Sequence, residues 1–518
     1  MTTLYQNATV LTMDDRLGAT NALLVDGGRI AAVGAAAIAQ ADGAEVVDLG
    51  GATVVPGMID AHTHLETSAI ANNVWVDVRF LSNADALTRI RERVDSSRPG
   101  EWVVAQGTYG QDFDMPTRAE LDALAPRNPV LFRATMHSQI ANTRALELSG
   151  LRDHRHSPVG VVVMREPGGE PTGEVIEGFH LFPIDMPGPD EHAEIIEKEI
   201  RERFNRYGVT TIYEVPFSAA GVRAFQQLNR DGRLNARISL NPTTGPGLQM
   251  LIGDISQWAM LGLMTGFGDD TLWLGGAKFF LDGVHELALS IDRDRLHPAK
   301  WGTATRQFNE LVRQLVTCYE AKVQPWIHTL GDDSHRLAVD AVREAQRLFG
   351  GDGGVRTRIE HIFNSHPHTA DLMDEVAELG IVPILQSAFM HFDKGDGAFF
   401  FRSLAEKGVP TPGSSDNAGT QPFATNPWFG IGKMLTRRSR NGVIVNPSEI
   451  VSTMDGIRSY TRDGAFAGHK EGFLGRLRPG FAADFAVLDQ DPLTIPDQDL
   501  ESIESVLTVM GGRVVWQG

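Results

Sequence analysis

The sequence predicts an α/β protein with three parts: a (β/α)8 TIM barrel, a small β-sandwich domain built from both termini, and an α/β insert after the first barrel strand. Three observations lead there. Short β-branched runs with glycine turns fill both ends of the chain. Between them, strand-like and helix-like segments alternate. Several of those strands, otherwise apolar, close on a histidine, a lysine or an acid.

The N-terminal part of the sandwich, residues 1–53, contains A-T-V-L-T-M and A-L-L-V-D-G-G-R-I-A-A-V-G. Asp26-Gly27-Gly28 between apolar runs is a hairpin signal. Residues 469–518 repeat the pattern in A-D-F-A-V-L-D and S-V-L-T-V-M-G-G-R-V-V-W. The barrel takes residues 54–66 and 191–468. Its eight strand candidates are 54–61, 209–215, 236–241, 272–280, 323–328, 356–361, 381–387 and 409–416, with helices such as Phe308–Ala321 and His335–Phe349 between them. The gap after the first strand is too long for a crossover, so residues 67–190 form an inserted subdomain. It carries its own strands (E-W-V-V-A-Q-G, P-V-L-F-R-A-T) and a capping box from Thr117 to Glu120. No repeat at a solenoid period is visible.

Composition narrows the function. Across 518 residues, 47 Lys and Arg face 66 Asp and Glu, a net charge of −19 that argues against nucleic acid and anionic membranes as partners. The lone Cys318 excludes an intrachain disulfide and fits a reducing compartment; its helical context, L-V-R-Q-L-V-T-C-Y-E, reads as packing. The first residues lack a basic region followed by an apolar one, and no run approaches the roughly 20 apolar residues needed to span a bilayer. The expectation is a cytoplasmic protein acting on a small-molecule substrate, and a homo-oligomer is compatible with this composition.

The segment V-V-P-G-M-I-D-A-H-T-H-L-E, residues 54–66, carries the chemistry. Side chains at i and i+2 of a strand share a face, so His62 and His64 converge. Neutral imidazole is a common ligand for zinc, which needs three or four donors. The other strand ends offer Glu214, Asn241, Lys278, His328, His361, Gln386 and Asp416. Each has a structural alternative alone. The two histidines could be polar loop residues, His328 and His361 satisfied core histidines, and Lys278 a partner for a carboxylate. Asp416, in P-G-S-S-D-N, could be a turn residue or a helix cap. Together they require many coincidences at one face of one barrel, and such a titratable cluster in a concave site marks function.

This constellation resembles the amidohydrolase superfamily over nearly the whole chain, and more narrowly its YtcJ-like branch, relatives of N-substituted formamide deformylases. The matching text includes P-G-M-I-D-A-H-T-H-L (56–65), P-T-R-A-E-L-D-A-L-A-P (116–126), N-T-R-A-L-E-L-S-G-L (142–151), G-E-P-T-G-E-V (169–175), W-I-H-T-L-G-D (326–332), R-I-E-H (358–361), G-S-S-D (413–416) and L-R-P-G-F-A-A-D-F-A-V-L (477–488). The resemblance implies that His62 and His64 bind a buried metal with Asp416, that His328 and His361 bind a second, more exposed one, and that an N-carboxylated Lys278 bridges two zinc ions. A free ammonium cannot ligate a cation, whereas a carboxylated amine can, and the apolar G-G-A-K-F-F setting favours the neutral amine that reacts. The alternative is an unmodified lysine beside a single metal. Manganese or iron also suits these ligands.

The implied reaction is metal-assisted hydrolysis of an amide-type C–N bond (N-acyl, N-formyl or cyclic), with Asp416 and Lys278 as catalytic residues. Asp416 would carry the proton from water to the leaving amine. The segments F-H-L-F-P-I-D-M-P-G-P and G-A-F-F-F-R (397–402) favour a hydrophobic or aryl substrate. Two alternatives remain. Deamination of an aromatic heterocycle would call for a glutamate near His328, where the text is T-L-G-D-D-S-H. An inactive scaffold would be expected to lose ligands, and all six are present.

Two departures concern the pocket. Tyr213-Glu214 stands where relatives often have His-Asp, and T-M-H (135–137) where they commonly have D-G-H. Glu214 is therefore a candidate for contact with a substrate cation or the metal, and His137 and His391, in loops over the barrel mouth, are candidates for substrate contact. Glu214 could equally be a satisfied strand-end carboxylate, and the two histidines structural. His366 and His368, in N-S-H-P-H-T, form a further HxH, but they sit in a loop with a proline between them, so strand alternation does not apply.

Overall fold

Strands from both ends of the chain meet in one eight-stranded sheet. Its order is Arg513–Gln517, Ser505–Met510, Phe485–Leu488, Thr53–Pro56, Thr3–Leu11, Ala19–Asp26 and Arg29–Val33, with Glu45–Asp48 also pairing Thr3–Leu11. The strands expected to form two layers are thus joined by hydrogen bonds as one sheet, continuous through Thr3–Leu11, where the register shifts near Asn7 (φ 57°). The hairpin at Gly27-Gly28 is present, with Asp26 opposite Arg29 and positive φ at both glycines. That is the backbone a two-residue hairpin turn demands. Tyr5, Val10, Leu23, Val54, Phe485 and Val509 form the core of this unit.

The computed structural model describes residues 2–108, 114–153, 161–245, 253–283 and 305–518. The central strands are β1 (Met58–Thr63), β2 (Val209–Glu214), β3 (Arg237–Leu240), β4 (Gly276–Phe280), β5 (Gln324–His328), β6 (Arg358–Glu360) and β7 (Val382–Ile384). All pair in parallel. One sheet runs Leu272–Leu274, β3, β2, β1; the other runs Thr243–Thr244, β4, β5, β6, β7. The fourth strand candidate contributes to both, crossing at Gly275, where a Cβ would stand 1.9 Å from Ser239 Oγ and 2.2 Å from Asn241 Oδ1. No side chain fits there.

The first predicted strand, 54–61, proves to be two. Thr53–Pro56 belongs to the terminal sheet and β1 to the centre, so the chain changes units at Gly57 rather than at residue 54. The Gly57 amide donates to Asp484 O, and a Cβ here would lie 2.1 Å from Thr210 Oγ1. The eighth candidate, 409–416, is not a regular strand. Pro410 and Pro412 remove the amides a ladder needs. The segment still bonds on both sides: Gly413 bridges Leu385 in parallel, and Ala61 N donates to Gly413 O at 3.0 Å. Asp416 N donates to His62 O at 2.8 Å, and His64 N to Asn417 O at 3.2 Å.

Residues between β1 and β2 carry a six-stranded sheet, ordered Val162–Arg165, Pro171–Ile176, Ser138–Ala141, Val130–Arg133, Val103–Gln106 and Val76–Asp77. The Thr117–Glu120 capping box is formed. Around the central strands, helices such as α1 (Leu65–Asn73) and α2 (Asp332–Phe349) turn buried faces inward; α2 buries Ala338, Val339, Ala341, Val342 and Ala345, an i, i+3, i+4 stripe. Cys318 is buried in a helix, where burial pushes its thiol up well above the ordinary range. No described helix is long and apolar enough to cross a membrane.

Candidate metal centre and its pocket

β1 delivers His62 and Thr63 at the end of an apolar run, and His64 follows as the residue before α1. His62 is fully buried. Its Nδ1 contacts Glu360, so that nitrogen carries the proton and Nε2 keeps a lone pair. His62 Nε2 faces Lys278 Nζ at 3.3 Å and Asp416 Oδ1 at 3.5 Å. His64 Nε2 lies 3.3 Å from the same Asp416 oxygen. His361 Nδ1 is held by Gln386 Oε1 at 2.8 Å and lies 3.8 Å from Asp416 Oδ2. Donor atoms of His62, His361 and Asp416 all fall within 4.8 Å of one another. The His328 ring stands 4.6 Å from that of His361, and His328 Nε2 is buried without a hydrogen-bond partner among the described residues. Three of the six predicted ligands thus converge, and His64, Lys278 and His328 each border one of those three.

Two of them hold unusual backbone. His361 has φ 69° and Asp416 φ 46°. Strain of that kind in non-glycine residues collects at sites that need a fixed geometry. Here it turns His361 out of β6 and Asp416 out of the proline-rich segment. Asp60, buried in β1, accepts from Ser415 Oγ and from Ser415 N at 3.0 Å, tying that segment down. Burial pushes the Asp60 carboxyl up to about 7 despite these bonds.

The electrostatics suit a cation. Burial, above all, holds His62 and His328 well below their ordinary pKa, lowers His64, and brings His361 to about 4. At neutral pH these imidazoles are uncharged and offer lone pairs. Burial alone would raise Asp416, but the imidazoles of His361, His64 and His62 hold it below the usual carboxylate range. Lys278, buried and 5.1 Å over the Phe280 ring, is brought down to about 8, chiefly by burial. Neutral imidazoles, one ionised carboxylate and a partly deprotonated amine form a donor set that fits a divalent ion.

A cavity of about 370 Å3 opens over this cluster. His328, His361 and Asp416 form its floor, with Met136, Leu330, Phe389, Phe392 and Phe399 as apolar wall and Asp393, Lys394 and Asp396 bringing charge. His137 lines it too, its Nδ1 held by both Glu177 oxygens at 3.0 Å and its ring 6.1 Å from His328.

The other two pocket candidates lie elsewhere. Glu214 is fully buried under α1 and accepts the amides of Leu65 and Glu66, the latter at 3.1 Å. It closes the positive end of a helix instead of facing substrate. His391 sits behind the wall, its ring packed by Phe392, Phe423 and Phe429 at 4.8 to 5.5 Å. Neither borders the cavity.

One residue that matters escaped the strand-end reading. Glu360 accepts from Arg358 Nε at 2.8 Å and Nη2 at 2.9 Å while holding His62, all of them buried. Its signal was the pair Arg358 and Glu360 two apart on one strand, a buried ion pair written into R-I-E-H.

Residues 45–516 match the model of the amidohydrolase family. The chain belongs to that family. N-substituted formamide deformylase of Arthrobacter pascens is 29% identical, with 98% of this chain and 96% of that protein aligned. The putative amidohydrolase YtcJ of Bacillus subtilis is 25% identical over 91% of this chain and 90% of its own length, and the chain falls in this YtcJ-like branch. Among solved structures, an uncharacterized metal-dependent hydrolase from Pyrococcus horikoshii shares the fold, with a TM-score of 0.73 at 22% identity, covering 96% of this chain and 99% of that one.

Proposed function

We propose that this amidohydrolase cleaves a C–N bond of amide type in a small apolar or aryl substrate, using divalent metal held at the cavity floor. The convergence of His62, His361 and Asp416 within 4.8 Å carries the reading. His62, His64 and Asp416 would hold a buried ion, His328 and His361 a second, and Lys278 would join them as a carboxylated lysine. A pKa of about 8 leaves enough neutral amine for that reaction. The same reading takes the central strands as a closed (β/α)8 barrel, supported by the bonds of Gly413 to Leu385 and Ala61. Active sites of such barrels lie at the C-terminal strand ends.

When bound, the metal supplies Lewis acidity and a nucleophilic water at neutral pH. The residues do the rest. Asp416, kept ionised by its imidazoles, accepts the proton of the attacking water and delivers it to the leaving amine nitrogen. Glu360 fixes the tautomer of His62, and Gln386 that of His361. His137, anchored by Glu177, is the one pocket histidine outside the ligand set among the described residues and orients the substrate carbonyl together with His328. Met136, Leu330 and the three phenylalanines shelter the site from water and favour an apolar acyl or aryl group. The formamide deformylase named above acts within the same reaction class, which supports N-formyl and N-acyl compounds as the first panel to screen. Asp416→Asn should keep metal content near the wild-type level and abolish turnover on any hit. Wild-type turnover in that variant would sink the assignment.

A further inference from the structure

A second cluster of metal-type donors stands at the cavity rim. Asp332, the first residue of α2, meets His366 and His368 from the turn after β6, and one donor atom of each lies within 4.8 Å of the others. His368 Nε2 is 2.8 Å from Asp332 Oδ2. The cluster shares no residue with the centre on the floor, yet Leu330 and Ser365, each within two residues of it, line the cavity.

Ring spacing gives a yardstick. Two imidazoles on one tetrahedral zinc, with Zn–N near 2.1 Å, place their ring centres about 5.4 Å apart. His366 and His368 are at 5.7 Å. On the floor, His62 stands 5.6 Å from His64 and 5.2 Å from His361. The rim pair has the same spacing as the pairs assigned to metal.

An independent observation comes from beneath. His335 follows Asp332 by one helical turn, is fully buried, and makes no close hydrogen bond at either ring nitrogen among the described residues, with only the Thr329 backbone as a weak partner. Its ring is 6.2 Å from that of His366. Buried polar groups are normally well hydrogen-bonded, so an imidazole this poorly satisfied beside two others and a carboxylate suits a further ligand. The positive end of α2 opposes a cation, and Asp332 and Asp333 in its first turn offset that.

We infer that Asp332, His366 and His368, with His335 below them, form an additional binding site for a zinc-class divalent ion at the mouth of the cavity. Two imidazoles and a carboxylate are borderline donors, which suits zinc, cobalt or nickel better than magnesium or calcium. The His368 side chain is 63% exposed, so the site exchanges with solvent and loads after folding. A bound ion would pin the turn Pro367–Asp371 to the start of α2 and fix one wall of the cavity entrance.

The test is metal counting on the full-length protein. Wild type and His366→Asn/His368→Asn are dialysed to equilibrium against low-micromolar free Zn2+, and bound zinc is measured per chain. The variant should hold one equivalent less at an unchanged thermal midpoint for the chelated protein. Equal zinc content in the two proteins overturns the inference. A second pair, His62→Asn/His64→Asn alone and combined with the rim substitutions, separates this site from the floor centre. The rim equivalent should persist without the floor histidines and vanish in the combined variant. If Zn2+ also fails to protect His368 of wild type from diethylpyrocarbonate, the rim holds no ion, whatever the floor binds.

Discussion

Replacing Glu360 by glutamine tests how the centre is supported. The carboxylate accepts from Arg358 Nε and Nη2 at 2.8 and 2.9 Å and from His62 Nδ1, with all three residues fully buried. Glutamine keeps the shape and one acceptor oxygen, but its amide nitrogen must face a donor, either His62 or Arg358. Arg358 also loses its counter-charge. Breaking a buried ion pair costs about 3–5 kcal/mol. Arg358 keeps Ala61 O at 2.6 Å and the Trp326 ring at 3.2 Å, which places the loss near the lower end, about 3 kcal/mol. Removing the partner that orients a ligating imidazole separately weakens metal binding by about 10–100-fold. Urea unfolding of chelated protein reads the first effect as a lower midpoint at unchanged slope, and competition with a metal chelator reads the second. Adding Arg358→Met to Glu360→Gln should restore much of the stability and none of the affinity. Glu360→Gln with wild-type stability and wild-type metal affinity would refute the role given to this residue.

Other perturbations have equally definite outcomes. Glu214→Gln should destabilise the fold by about 1–3 kcal/mol, since one of the two helix amides loses its acceptor oxygen and meets an amide NH2 group, and leave KM unchanged in any assay that reports turnover. A raised KM there would return Glu214 to the pocket. Gly57→Ala should cost about 1–3 kcal/mol through its clash with Thr210, and adding Thr210→Ala should recover most of it in the same unfolding assay. In chelated protein the folded state gives up the Lys278 proton near pH 8, while the unfolded chain keeps it to about 10.4. Stability should therefore rise from pH 8 towards 10, and Lys278→Met should flatten that rise.

Much of the candidate centre could be read from strand periodicity, because most of its residues end or follow an apolar run. What escaped reading was set by contacts distant in sequence. Glu214 looked like a pocket group until α1, 149 residues earlier, brought its amides to it. His391 is held off the cavity by Phe423 and Phe429, which no local pattern announces. The eighth strand candidate carried its own warning in Pro410 and Pro412, yet the segment still docks, since Gly413 needs only two bonds to sit between its neighbours. The boundary at Gly57 was hidden because both flanking strands are apolar and only the glycine separates them.

The bonds joining residues 60–64 to 413–417 bear on how the protein is made. Ser415 and Asp60 are 355 positions apart, so the two sides of the centre emerge from the ribosome at very different times. Long-range closures of this kind come late, because the entropy of closing the loop is spent before any contact repays it. The terminal sheet waits as well, since Thr53–Pro56 gains its partner Phe485–Leu488 only when the last strands appear. Until then His62 and His64 lack Asp416 opposite them. A nascent chain stalled before residue 413 should therefore be unable to retain metal on β1, and would present chaperones with an unfinished seam instead of a functioning enzyme.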